Sequence, residues 1–314
     1  MRLARRAFLA GAAALPVAAR AEQYAGTYAP QATSIGDGIW LVRGADNALL
    51  FENGGAVANS VFMASDAGTI LFDPGPSLKF GKSLSALIER TAGAPVSLVY
   101  VSHLHPDHSF ASGAFPEAEV HSLPGTRHDL ERDGSGFSDG MYRLLSGWMT
   151  GTEVVLPSGD LTEGPVEFGG RKLQLLALAG HSEGDLALVD HATGTLVAGD
   201  TVFLDRAPAT PNADFAVWRA ALDRLETIAH RQLVPGHGPL DREGRGIAQT
   251  RDWLVWLESS LRSAVANGLD MIEAGRMEIP ARFAGMAAAR YELQRSVSHF
   301  YPRLEAELFP RIDG

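Results

Sequence analysis

One ten-residue stretch constrains this 314-residue chain more than any other: Val99-Tyr-Val-Ser-His-Leu-His-Pro-Asp-His108. The apolar run at 98–101, β-branched and aromatic, predicts a buried strand. Pro106 cannot donate to a ladder, so the strand ends before it. His103, His105, Asp107 and His108 therefore fall on the turn leaving the strand, where a rigid element holds side chains in place and accessible. Imidazole and carboxylate are the donors that zinc and similar borderline metals take. Three further groups follow in order, each after a strand-like run: Gly180-His181-Ser182-Glu183-Gly184, Gly199-Asp200-Thr201 and Gly236-His237-Gly238. Taken singly, His181 or His237 reads as a structural histidine. As an ordered set behind the cluster they read as metal ligands.

The remaining periodicities place these groups on a scaffold. Strands are predicted at 39–43, 48–51, 57–64 and 69–73, then a helix at 78–92 that stops at Gly93 and Pro95. A short helix at 109–115 and a strand at 119–122 follow the key turn. Residues 123–170 are the least regular, with short helices predicted at 127–132 and 140–149, the second capped by Ser138 or Asp139. Tyr142 and Trp148 of that second piece read equally as core or as an apolar flap over the site. Strands resume at 173–178, 186–190 and 195–198, then an amphipathic helix at 214–230, a strand at 232–234, and helices at 242–267 and 286–301. This order predicts two βαβ-rich halves packed sheet to sheet, with helices outside.

Composition removes several function classes. A net charge of −10 leaves no basic cluster to neutralise a run of phosphates, which excludes nucleic acid as a partner. The absence of cysteine excludes disulfides, thiolate ligands and cysteine nucleophiles. Arg5-Arg6-Ala7-Phe8-Leu9, a modest apolar run and Ala19-Arg20-Ala21 predict a twin-arginine signal peptide over residues 1–21. The expectation is a periplasmic protein with no membrane insertion after cleavage.

The ordered set resembles the metallo-β-lactamase-fold superfamily: His-x-His-x-Asp-His at 103–108, Gly180-His181, Gly199-Asp200 and Gly236-His237, with Asn59 and Leu71-Phe72-Asp73-Pro74-Gly75 upstream. The resemblance implies an α+β four-layer αββα sandwich over residues 35–240, with a helical C-terminal extension, 241–314, packed on it. It implies two metal ions, expected as Zn2+ with iron or manganese also compatible. His103, His105 and His181 would hold the first, and Asp107, His108 and His237 the second. Asp200 would bridge them with a hydroxide that attacks a carbonyl, positioned by Asp107 and Asp200. Asp73 and Ser102 are candidates for orienting ligand imidazoles, and Asn59 is a further candidate for supporting the ligands or meeting the substrate.

Asp200 stands where the best-known β-lactamases of this fold carry Cys or Ser. That speaks for ester, thioester or lactone hydrolysis, as in glyoxalase II and lactonases, on a small-molecule substrate. Gly236-His237-Gly238-Pro239 differs from the Gly-His-Glu-Tyr context of glyoxalase II, and the whole pattern is similar to periplasmic SoxH-like zinc hydrolases of quinoprotein systems. Two alternatives stay open: a mononuclear iron persulfide dioxygenase using His103, His181 and Asp200, and a metal-loaded accessory partner of a periplasmic quinoprotein.

Overall fold

A computed structural model describes residues 26–309. The twin-arginine stretch and its cleavage site lie outside the described residues. The first sheet has seven strands in chain order: β1 (Ala32–Gly36), β2 (Ile39–Val42), β3 (Ser60–Ser65), β4 (Gly68–Phe72), β5 (Val96–Tyr100), β6 (Glu119–Ser122) and β7 (Gly159–Asp160). Pairing is antiparallel as far as β4 and parallel beyond it. The switch needs a crossover, supplied by α1 (Leu78–Ala92). Ser77 caps α1 by accepting the Phe80 N–H, and Gly93 ends it in the left-handed conformation. The second sheet has five strands, β8 (Gly164–Phe168), β9 (Arg171–Leu178), β10 (Asp185–Asp190), β11 (Thr195–Val197) and β12 (Gln232–Val234), ordered β12-β11-β10-β9-β8.

Strand alternation sorts the apolar side chains into layers. Val61, Met63, Ile70, Phe72, Leu98 and Tyr100 face Leu173, Leu175, Leu186, Leu188 and Val197 of the other sheet. Their neighbours Phe62, Leu71 and Val99 point the opposite way, onto Phe80, Leu84 and Ile88 of α1. The outer face of the second sheet, with Leu176, Ala187, Val189 and Leu196, packs on Trp218, Leu222 and Leu225 of α4 (Phe215–Glu226). The same core takes in Trp253, Leu257 and Leu261 of α5 (Gly246–Ala266), with Leu293, Val297 and Phe300 of the last helix. Two sheets flanked by helices make four layers, and the C-terminal helices share the core of the second sheet.

Two local expectations are overturned. Residues 48–51 are not a strand: the Asn53 side chain accepts the Leu50 N–H and donates to the Ala48 carbonyl, winding the segment into a short 3-10 turn at Phe51–Asn53. The two short helices expected after residue 123 are one 22-residue helix, Pro124–Leu145, so Ser138 and Asp139 lie inside it and cap nothing. (The four-residue turn Pro106–Ser109 is α2, and this long helix is α3.) Four glycines at 125, 134, 136 and 140 depress its intrinsic helicity by up to about 1 kcal/mol each. Packing of Leu130, Met141 and Leu145 against Leu104, Phe110 and Met149 overrides that cost. The C-terminal part adds a short α6 (Met271–Gly275), capped reciprocally by Asp270 and Glu273, and α7 (Ala289–Leu308), which continues through Pro302.

Candidate metal centre

The turns leaving β5, β9, β11 and β12 bring seven side chains together, all buried. His105 Nδ1 lies 2.9 Å from both His103 Nε2 and His181 Nε2. Asp200 Oδ2 stands 3.3 Å from His181 Nε2 and 3.8 Å from His103 Nε2. In the second cluster His108 Nε2 and His237 Nε2 are 3.3 Å apart, and Asp107 Oδ2 is 3.3 Å from His237 Nε2. Asp200 Oδ1 is 3.0 Å from His108 Nε2 and 3.3 Å from His237 Nε2. One carboxylate thus presents an oxygen to each cluster, and each cluster gathers its donor atoms within 4.8 Å of one another.

The outer nitrogens of these rings decide what the inner ones can be. Asp73 Oδ1 accepts the Ser102 N–H at 2.8 Å, and Oδ2 accepts the Ser102 hydroxyl at 2.8 Å and His108 Nδ1–H at 2.7 Å. Because Ser102 donates to Asp73, its oxygen accepts from His103 Nδ1 at 2.9 Å. His105 Nε2 donates to Asn212 Oδ1 at 3.0 Å, and His237 Nδ1 donates to the Val57 carbonyl at 2.9 Å. In their neutral form His103, His105, His108 and His237 then carry the single proton on the outside and a bare lone pair on the inside, while His181 Nδ1 has no partner among the described residues. Buried lone pairs at 2.9–3.3 Å repel unless a cation lies among them. The donor set therefore fits two divalent metal ions.

The electrostatics agree. Burial holds His103, His105 and His181 below the ordinary histidine range, in the neutral form a metal requires. Burial also opposes charge on His108, but Asp200, Asp73 and Asp107 outweigh it and raise its pKa well above the usual value. Burial pushes Asp200 up, and His108 with His237 more than reverse this, holding it well below the carboxylate range. The site is built for positive charge.

The supporting residues divide into those the sequence suggested and those it did not. Asp73 and Ser102 orient His103 and His108 as described. Asn59 does not face a substrate: its amide donates to the Pro235 and Gly238 carbonyls at 2.8 and 2.9 Å, and its N–H to the Gly236 carbonyl at 2.8 Å, clamping the His237 turn. Only glycine fits at 236, where a Cβ would lie 1.9 Å from Asp200 Oδ1. Asp185, unremarked in the sequence, accepts the N–H groups of His181 and Ser182 at 2.9 and 3.1 Å, and burial pushes its carboxyl up to about 7. Phe203 stacks on His237 with centroids 5.1 Å apart, and Trp218 meets His181 edge-on at 4.8 Å.

Of the 140–149 piece, Gly140, Met141 and Leu144 border the cavity, and the two aromatic candidates do not. Tyr142 is exposed and donates its hydroxyl to the Thr152 carbonyl, and Trp148 is buried against Tyr28, 4.4 Å between centroids. Neither reaches the cavity above the clusters. That cavity, about 280 Å³, has His105, Asp107, Asp200 and His237 on its floor. One wall is a different face of α3: Gly136, Phe137, Gly140, Met141 and Leu144, at helical spacing. The other wall is Arg206, Ala209 and Pro211 with Tyr291 and Arg295 of α7. Asn212, Tyr291 and Arg295 carried no local sequence signal beyond the last two being four apart on one helix face.

Comparison with known proteins gives the same answer. Residues 53–237 match the metallo-beta-lactamase superfamily domain. The chain is 29% identical over 216 residues to the acyl-coenzyme A thioesterase MBLAC2 of Gallus gallus, covering 63% of this chain and 71% of that protein. It is 28% identical over 190 residues to the probable metallo-hydrolase YqgX of Bacillus subtilis, 58% of this chain and 85% of that one. Among solved structures, a metallo-beta-lactamase from Pontibacter korlensis superposes with a TM-score of 0.59 at 18% identity, covering 72% of this chain and 99% of its own. The sec-alkylsulfatase Pisa1 from Pseudomonas sp. superposes with a TM-score of 0.66 at 16% identity, covering 87% of this chain and 50% of its own. At those identities the structures establish the fold and nothing about substrate. With the ordered ligand set, the αββα layers and the matched domain in agreement, the chain belongs to the metallo-β-lactamase superfamily, as one of its metal-dependent hydrolases.

Proposed function

We propose that this protein is a dinuclear zinc hydrolase of the periplasm that cleaves a carbonyl compound: a thioester, ester, lactone or lactam-like substrate. The observation that carries the reading is Asp200, whose two oxygens face the two clusters separately. Two zinc ions bound there supply Lewis acidity and lower the pKa of water towards ~7. Asp107 is the ligand carboxylate nearest the substrate: its side chain is 11% exposed, against 3% for Asp200, and it borders the cavity. It orients the attacking water and accepts its proton. Asp200, held ionised, keeps the two clusters in register. Phe137, edge-on to His105 at 5.5 Å, and Met141 exclude bulk water from the floor. The likeness to a thioesterase supports a thioester as the first substrate to try.

The test is metal content of the protein purified from its own compartment without reconstitution, followed by thioester and lactone assays. About two zinc per chain with turnover supports the reading. About one iron with little zinc, and oxygen uptake on persulfides, replaces it with the dioxygenase reading. His105→Ala is expected to lose metal and activity together.

A further inference from the structure

The cavity wall contributed by α7 lies outside the matched domain, which ends at residue 237. Its charged groups are unequal in number. Glu292 is completely buried and sits between two guanidinium groups, with Arg206 Nη2 3.3 Å from Oε1 and Arg295 Nη1 3.4 Å from Oε2. Arg206 is itself 3% exposed, gives a further bond to the Ala207 carbonyl at 3.2 Å, and has an Nε with no partner among the described residues. Two guanidinium groups thus share one carboxylate, which leaves the trio with one positive charge in excess, and Arg295 is its solvent-accessible end. Arg295 is 36% exposed, borders the cavity and lies 5.5 Å from the Tyr291 ring, which lines the same wall.

This wall is rigidly placed relative to the metal clusters. Arg206 pairs with Ala287 as an isolated bridge, the Ala207 N–H donates to the Ala287 carbonyl at 3.0 Å, and Thr210 bonds Ser296 at 2.7 Å. The segment that follows Asp200 is thereby stitched to α7 on both sides of the buried ion pair. The opposite wall has no charge: Phe137, Met141, Leu144 and Leu49, with Gly136 and Gly140 opening space between them. A Cβ at either glycine would meet nothing within 4 Å.

We propose that the substrate is an anionic amphipathic carbonyl compound, with a carboxylate, sulfonate or phosphate group held by Arg295 and an apolar portion against Phe137, Met141 and Leu144. This rests on the hydrolase reading above and adds the substrate class. Arg295 acts on specificity: it contacts the charged end of the substrate and not the scissile bond. A guanidinium presents two parallel donors to such a group, and partial burial strengthens them.

Two measurements on the metal-loaded protein test it. The first compares kcat/KM for mono-4-nitrophenyl adipate with 4-nitrophenyl hexanoate, and for the hexanoyl thioester of 3-mercaptopropionate with that of 3-mercaptopropionamide. One pair carries the anion on the acyl side, the other on the leaving group. The second is calorimetric binding of hexane-1-sulfonate, whose headgroup is a poor metal ligand. The anionic member of at least one pair is expected to be preferred. Arg295→Gln should lower that preference and weaken sulfonate binding about tenfold, through loss of one charge-assisted contact, and Arg295→Lys should restore part of both. An unchanged preference ratio and unchanged sulfonate affinity in a folded Arg295→Gln protein overturns the proposal while leaving the hydrolase intact. Sulfonate binding that depends on Arg295, with no ester or thioester cleaved, supports the anion site and removes the hydrolase reading instead.

Discussion

Asp73→Asn is the most informative single change in this protein. Asp73 is 1% exposed and has φ 59°, a left-handed conformation that asparagine tolerates, so the backbone turn survives. The amide oxygen keeps the Ser102 N–H. The amide nitrogen then replaces Oδ2, which now accepts from both His108 Nδ1 and the Ser102 hydroxyl. Ser102 can reverse and accept, but His108 cannot without moving its proton to Nε2, the atom aimed into the metal cluster. The loss is one hydrogen bond to a charged acceptor, about 1.5–3 kcal/mol. That converts to about 10–100-fold in affinity for the metal held by His108. The other cluster is affected less, through Ser102 and His103. The assay is chelator competition monitored by metal content, with a urea midpoint on the same samples to confirm folding. If folded Asp73→Asn holds both metals with wild-type affinity, the chain of tautomers from Asp73 to the ligands is wrong.

Asp185→Asn should be nearly silent, because its amide oxygen still accepts from His181 and Ser182 and its nitrogen can donate to Ser182 Oγ, whereas Asp185→Ala should free the His181 turn and lower metal affinity; equal metal affinity in the two variants contradicts this. A carboxyl raised to about 7 costs stability as pH climbs from about 4 to 7 and no further above that, so Asp185→Asn should also flatten the acidic-to-neutral limb, between about pH 4 and 7, of a urea-midpoint profile. Gly140→Ala should raise the melting temperature by about 2 °C through helix propensity and reduce turnover of bulky acyl substrates, since the added methyl enters the cavity. Burial, then Arg295, hold His299 down to about 4. Below about pH 6.5 the unfolded chain takes a proton the folded one refuses, so stability falls from there towards pH 4. His299→Gln, measured with chelator present throughout, should show a smaller fall between pH 7 and 4.5, and an identical fall counts against it.

What the sequence made legible follows from where the constraint is local. His103, His105, Asp107 and His108 share one turn, and His181, Asp200 and His237 each sit beside a glycine that lets a turn pack tightly, so residue type and order were enough. The inner strands β2–β6 and β9–β12 announced themselves through apolar runs, whereas β1, β7 and β8, at sheet edges, carried no such run and went unread. The helix Pro124–Leu145 stayed hidden because its four glycines argue against helix, and only tertiary contact overrides them. Read as two short helices, the segment gave no common face for the cavity wall: Tyr142 and Trp148 of the 140–149 piece stay off the cavity, Met141 and Leu144 of the same piece line it, and the wall includes two residues with no side chain. Asn212 and Arg206 reach partners 107 and 86 residues away, a relationship no local window contains, whereas Asp185 bonds His181 and Ser182 only four and three residues back.

The seven metal-binding candidates are unevenly distributed along the chain. Four lie within residues 103–108, while His181, Asp200 and His237 arrive 73 or more residues later, from the other sheet. During folding the early segment already contains four donors in six positions, so it can capture a metal before the second half has formed. A metal captured at that stage would sit among the wrong partners and would have to be handed on as the sheets dock. Metal is in this sense both a rivet across the finished sandwich and a competitor while it is being assembled. Refolding with metal present from the start should therefore be slower than refolding first and loading afterwards, and the two routes should converge on the same holoprotein.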